Sequence, residues 1–113
     1  NLEETLYDGV ILPGGHEAPD RVRQVKDILS FVKKMYEGGK IVSSTCHGPW
    51  ILISSGIMKG KNATCYKGMK DDLINAGAKY KEAPVVTDGN IITSDHPRNL
   101  GDWMKTTVNL LRK

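Results

Sequence analysis

Short apolar runs alternate with amphipathic stretches along the chain, and this alternation most constrains what it can fold into. Tyr7 to Leu12 (YDGVIL) reads as a buried strand closed by Pro13-Gly14-Gly15. Asp27 to Tyr36 places Ile28, Phe31, Val32 and Met35 at helical spacing, and Gly38-Gly39 ends that helix. Lys40 to Ser44 is a second strand. Pro49 to Ser55 is a helix, with Pro49 suited to its first turn, and Gly56 and Gly60 bracket a turn. Asn62 to Tyr66 reads as a strand, Met69 to Ala76 as a helix stopped by Gly77, and Tyr80 as extended. Val85 to Thr87 and Ile91 to Thr93 flank Asp88-Gly89-Asn90, a hairpin signal. Arg98 to Arg112 closes the chain as an amphipathic helix with Leu100, Trp103, Met104, Val108 and Leu111 on its apolar face. Helices between strands imply an α/β layered fold with a mostly parallel sheet. The first strand is apolar throughout, as a central parallel strand would be. Nothing upstream supplies its second neighbour, so the chain is expected to start in the middle of a domain and to be unstable alone.

The 113 residues suffice for a single domain. A net charge of +3, with Lys and Arg scattered and few aromatics, argues against nucleic acid as a partner. No apolar run reaches membrane-spanning length, so no membrane partner is expected. Two cysteines do not make a disulfide framework, which points to a reducing, cytoplasmic setting. Three histidines and two cysteines show no zinc spacing, so neither metal nor cofactor is expected.

The chemistry concentrates at IVSSTCHGPW, Ile41 to Trp50. Cys46 follows a strand and precedes a helix, the place where α/β sheets build sites. A tight turn there lifts its central residue out of the sheet as a nucleophile elbow. The helix end would present free N–H groups to the sulfur and favour the thiolate. Gly48 relieves crowding after the turn, the His47 N–H is a candidate oxyanion donor, and the Gly14-Gly15 turn is a source of a second. The plain alternative for Cys46 is a small buried hydrophobe, which is the reading preferred for Cys65. His47 is either the base or a polar residue at a helix start. Glu17, Asp20 and Asp95 are candidates to orient the imidazole, with Asp20 favoured; its plain alternative is an N-cap ahead of Arg21-Val22. His16 and His96 sit in loops after strands, either lining the same rim or lying on the surface.

These residues carry a resemblance. VILPGG (Val10 to Gly15), APDRVR (Ala18 to Arg23), TCHGPWILISSGIMKGKNAT (Thr45 to Thr64), GMKDDLINAGAKY (Gly68 to Tyr80) and VVTDGNIITSDHPRNLGDWM (Val85 to Met104) resemble the C-terminal two-thirds of the ThiJ/PfpI family, within the class I glutamine-amidotransferase-like superfamily. The intracellular protease branch is the most similar. The resemblance implies a flavodoxin-like sandwich, incomplete here at its N-terminus, with Cys46 as nucleophile, His47 as its neighbour, and an oxyanion hole from Gly15 and His47. Asp20 falls where that branch places an acidic residue reaching in from a neighbouring subunit, which implies a homo-oligomer with its site near the interface. Gly14, His16, Trp50 and His96 are candidate pocket residues; Trp50 departs from the family, where a polar residue is more usual. Family members begin with further βα units bearing a glutamate that bonds the cysteine, so the chain is expected to be a fragment or a cleaved piece.

The resemblance implies a cysteine-dependent hydrolase or lyase: a peptidase, deglycase or glyoxalase-like enzyme acting on a small carbonyl or peptide substrate. The alternative is a redox-sensing stress protein or chaperone, with Cys46 oxidised rather than turning over. A glutaminase half of an amidotransferase is disfavoured, because Arg98 stands where a His-x-Glu motif beginning at His96 needs its acid.

Overall fold

The computed structural model describes residues 3–112. Its elements run β1 (Gly9–Leu12), α1 (Glu17–Val22), α2 (Lys26–Glu37), β2 (Ile41–Thr45), α3 (Pro49–Ser54), β3 (Asn62–Ala63), α4 (Lys70–Asn75), β4 (Lys79–Tyr80), β5 (Val85–Asp88), β6 (Ile91–Ser94) and α5 (Leu100–Leu111). Four strands form one sheet in the order β1-β2-β6-β5. The first three are mutually parallel, and β5 returns antiparallel to β6 through the expected hairpin at Gly89. The fold is the expected α/β class. Residues 1, 2 and 113 of the single domain expected over 1–113 lie outside the described residues.

Alternation along β2 sets the two layers. Val42 points into the core cluster with Val32 and Met35 of α2 and Leu52 of α3. Ser43 points to the opposite face, where its hydroxyl lies 2.8 Å from that of Thr107 on α5. Thr107 donates to the Trp103 carbonyl at 2.8 Å, so it accepts from Ser43.

Four expectations are corrected. First, β1 is not buried throughout: Ile11 is 45% exposed, on a strand that, as expected, has no second neighbour among the described residues. Second, α5 does not bury its whole apolar stripe. Trp103 and Thr107 are buried, whereas Leu100, Val108 and Leu111 are exposed. The sheet face beneath it carries Ser43, Thr45 and Ser94 beside Ile92, and opposite Ser43 the Thr107 hydroxyl supplies the partner that an aliphatic side chain would not. Third, the strand expected over Asn62 to Tyr66 shrinks to two residues paired with β4 in a separate sheet. Its backbone is drawn off to other acceptors: Asn62 N–H donates to the Asp88 carboxylate at 2.7 Å, Thr64 N–H to Thr93 Oγ1 at 2.9 Å, and Tyr66 N–H to the Cys46 carbonyl at 2.8 Å. Fourth, a helix forms before Asp20. Glu17 begins α1, so Asp20 sits within the helix and is not its N-cap. Pro19 is accommodated because it lies in the first turn, where its missing N–H leaves nothing unsatisfied.

Candidate active site

The carboxyl ends of three adjacent parallel strands converge here. β1 leads into Gly14, Gly15 and His16, β2 into Cys46 and His47, and β6 into Asp95 and His96.

Cys46 is the only non-glycine residue with positive φ among the described residues, at +60°. That conformation costs an L-residue about 1–2 kcal/mol, so it persists only where the surroundings impose it. Two backbone hydrogen bonds do so: Cys46 N–H donates to the Ser94 carbonyl at 2.9 Å, and the Cys46 carbonyl accepts from Tyr66 N–H at 2.8 Å. Two glycines make the room. A Cβ on Gly14 would stand 2.5 Å from Cys46 Cβ. One on Gly48 would overlap Ser44 Oγ and the Leu12 and Thr45 carbonyl oxygens. Gly48 has ordinary helical angles, so space and not conformation demands glycine there.

The turn solves a geometric difficulty. Adjacent side chains on a regular element point apart, yet Cys46 Sγ lies 3.4 Å from His47 Nδ1. Burial, and then the neighbouring His16, hold the His47 imidazole below its ordinary 6.5, favouring the neutral ring. Cys65 contrasts with Cys46. It is fully buried in the core, and burial first, then nearby Asp72, Cys46 and Asp95, push its thiol up to about 12. It has the environment of an inert structural thiol.

The helix end is less generous than expected. Gly48 N–H is taken by the Thr45 carbonyl, Trp50 N–H by His47 and Ile51 N–H by Gly48, while Pro49 has none. Only the His47 N–H keeps no intramolecular acceptor around this turn, and the Gly15 N–H likewise has none among the described residues. These are the two groups expected to form an oxyanion hole.

Aromatic rings surround His47. Trp50 lies at 4.8 Å between centroids, Tyr66 stacks at 4.6 Å and His16 meets it edge-on at 5.2 Å. His96 stands beyond Tyr66, 6.2 Å from it, and its Nδ1 accepts from Arg98 N–H at 3.1 Å. Asp20 is exposed on α1; Gln24 donates to its backbone carbonyl, and its carboxylate has no hydrogen-bond partner among the described residues. Among the described residues no carboxylate hydrogen-bonds the His47 ring: Glu17 pairs with Arg21, and Asp95 with Asn99. No three His, Cys, Asp or Glu side chains converge as metal ligands among these residues. Tyr66 is the site residue that sequence reading missed. Its place at the end of the expected third strand was the available signal. A cleft of about 390 Å³ opens beside it, lined by Cys65, Tyr80, Asp95, His96 and Arg98 among others.

Comparison with known proteins agrees with the fold. A sequence model described as the DJ-1/PfpI family matches residues 1–110. A deglycase of Pyrococcus horikoshii is 48% identical over 112 residues, covering 99% of this chain and 66% of the relative. The deglycase PfpI of Pyrococcus furiosus is 46% identical, covering 94% of this chain and 63% of the relative. The chain thus spans just under two-thirds of the length of these relatives. Among solved structures, a two-domain protein from Anabaena variabilis with DJ-1/ThiJ/PfpI-like and ferritin-like domains superposes with a TM-score of 0.95 at 37% identity, covering 97% of this chain and 31% of that one. Drosophila melanogaster DJ-1beta superposes with a TM-score of 0.87 at 30% identity, covering 95% of this chain and 58% of that one. Matched by the family model over nearly its whole length, the chain belongs to the DJ-1/PfpI family.

Proposed function

We propose that the protein is a cysteine-dependent hydrolase of the deglycase type, acting on an N-linked carbonyl adduct or an amide. The observation that carries this reading is the Cys46–His47 pair: a thiol at a strained turn, 3.4 Å from the neutral-leaning imidazole of a residue whose own backbone N–H keeps no acceptor, at the edge where the neighbouring strand ends in Gly15. His47 takes the thiol proton, and the Cys46 sulfur adds to the electrophilic carbon. Charge developing on the substrate oxygen is met by the Gly15 and His47 N–H groups. In an amide, His47 returns the proton to the departing nitrogen, the carbon–nitrogen bond breaks, and water then cleaves the thioester's carbon–sulfur bond to regenerate the thiol. In a carbinolamine adduct, loss of the hydroxyl proton expels the amine and frees an aldehyde, the sulfur adds to it, and a proton shift to the neighbouring carbonyl carbon gives the same kind of thioester for water to cleave. These steps need no cofactor.

Asp20 is the proposed third member, reaching His47 from a neighbouring copy in a homo-oligomer. Its exposure on α1 and lack of a side-chain partner fit a role outside its own chain. A cytoplasmic setting suits the two free thiols. The relatives' deglycase names support the substrate class.

The test is release of free amine from a methylglyoxal-modified N-acetyl-lysine by the intact protein, with Cys46→Ser and Asp20→Asn beside it. Turnover is expected for the native protein, none for Cys46→Ser, and a lowered kcat for Asp20→Asn. Native turnover by Cys46→Ser would end this reading.

A further inference from the structure

The His47 ring has no carboxylate partner among the described residues, yet its position is well defined by what packs on it. Trp50 lies against it, tilted by 52° with centroids 4.8 Å apart, and Tyr66 stacks on the ring at 4.6 Å. Trp50 reaches this place because Trp50 N–H bonds the His47 carbonyl at 3.0 Å, curling the chain so that residues three apart become neighbours.

The indole is itself tied down from several elements. Its Nε1–H donates to Asp72 Oδ2 on α4 at 3.1 Å. The Arg23 guanidinium lies 5.5 Å over the ring, and Arg23 Nε donates to Ser54 Oγ of α3 at 2.8 Å. His16 meets its edge at 5.4 Å, and its body packs against the core cluster. A flat, anchored ring of this kind restricts a neighbouring imidazole and keeps water from its face.

We propose that Trp50, anchored by Asp72 and Arg23, is a positioning residue that holds the His47 ring with Nδ1 toward Cys46. The inference rests on the reading of Cys46 and His47 as the reactive pair, but its main test needs no turnover. The titratable groups facing His47 are Cys46 on its own turn, His16 from the β1–α1 loop and Tyr66 from the segment after β3. Arg23 and Asp72 face Trp50, and His96 lies behind Tyr66. Removing the indole leaves these charges in place and opens to water the part of the imidazole that the tilted indole lies against. Burial is the larger of the two influences lowering the His47 pKa, so the titration responds to this change.

The experiment is an NMR titration of the His47 ring in the intact protein, comparing native with Trp50→Ala, Trp50→Phe and Asp72→Ala. The His47 midpoint is expected to rise toward 6.5 in Trp50→Ala, and to rise only part of the way in Asp72→Ala and in Trp50→Phe, both of which lose the Nε1–H bond while keeping a ring against the imidazole. Where turnover is measurable, Trp50→Ala should lower kcat with KM within about twofold. With His47 at its ordinary pKa, activity at pH 5.5 should fall to about a tenth of that variant's own plateau. A native midpoint in Trp50→Ala overturns the proposal. If that variant does not fold, Asp72→Ala, which leaves the core untouched, is judged by the same two outcomes. A protein without deglycase turnover whose His47 midpoint still shifts would refute the proposed reaction and leave the positioning role standing.

Discussion

The strain at Cys46 can be weighed by comparing alanine with glycine there. Alanine keeps the positive φ and its cost, whereas glycine sheds it. The left-handed conformation penalises alanine by about 1–2 kcal/mol. Two effects work the other way. Glycine's extra freedom in the unfolded chain costs about 0.4–1 kcal/mol, and the methyl that alanine buries at this 6% exposed position contributes about 0.8 kcal/mol. Together these favour alanine by about 1.5 kcal/mol, close to what the strain removes. Cys46→Ala and Cys46→Gly are therefore expected to unfold within about 0.8 kcal/mol of one another. Ala63→Gly is the control: Ala63 is fully buried in β3 without positive φ, so only the two opposing effects act and glycine should cost about 1.5 kcal/mol. The assay is urea unfolding of the intact protein, followed by tryptophan fluorescence and far-ultraviolet circular dichroism, with m unchanged across variants. If Cys46→Ala proved more stable than Cys46→Gly by as much as the control gap, the residue would not be strained in solution, and the argument for a sulfur lifted from the sheet would fail.

Gly48→Ala is expected to destabilise by about 3 kcal/mol or more and to abolish alkylation of Cys46, because two of the three atoms its Cβ would strike belong to backbone; urea unfolding and thiol labelling check both. In the folded protein at pH 8, iodoacetamide should label Cys46 and leave Cys65 unmodified. A thiol with a pKa of about 12 reacts about a thousandfold more slowly than an ordinary one, and peptide mass mapping distinguishes the two sites. The lowered pKa of His47 means that the unfolded chain binds its proton more readily, so this histidine's contribution to stability falls as pH drops through 6.5 and levels off once the folded ring protonates. Replacing His47 with Gln should flatten the stability–pH curve in that window, as measured by unfolding between pH 7 and pH 4.5.

Elements whose periodicity agreed with their burial were legible in the sequence. α2 carries Val32 and Met35 at core spacing, and both are fully buried. Gly56, Gly60, Gly77 and Gly89 all mark turns with positive φ, where a side chain would be strained. Reading failed where a partner outside the local window decided the outcome. The face that α5 buries was set by hydroxyls on β2 and β6, far away in the chain, and Thr107 was chosen over Val108 because Ser43 faces it. The third strand lost its length to Asp88, Thr93 and Cys46, none of which a local pattern could reveal.

The candidate site divides along the same line. Cys46, Gly15 and the His47 N–H were legible because each follows a strand, and parallel strands deliver their carboxyl ends to one edge. Pairing of Cys46 with His47 stayed open because regular geometry forbids it, and only the φ of +60° brings the two side chains together. Tyr66 and the Asp72 anchor of Trp50 were invisible for a different reason. They act through ring packing and one indole hydrogen bond across 22 residues, and such contacts leave no spacing to read. In the proposed reaction they would matter as closely as the turn that carries Cys46. A strained turn aims only the sulfur; the imidazole beside it still needs something to hold it. Within this chain, aromatic rings pack on the imidazole, and among the described residues no carboxylate bonds it. Rings restrict the imidazole's tilt but accept no hydrogen bond in its plane, so they leave its tautomer free. A carboxylate bonded to the ring's far nitrogen, Nε2, would therefore add control that the rings cannot supply, which is the place an Asp20 from a second copy would fill.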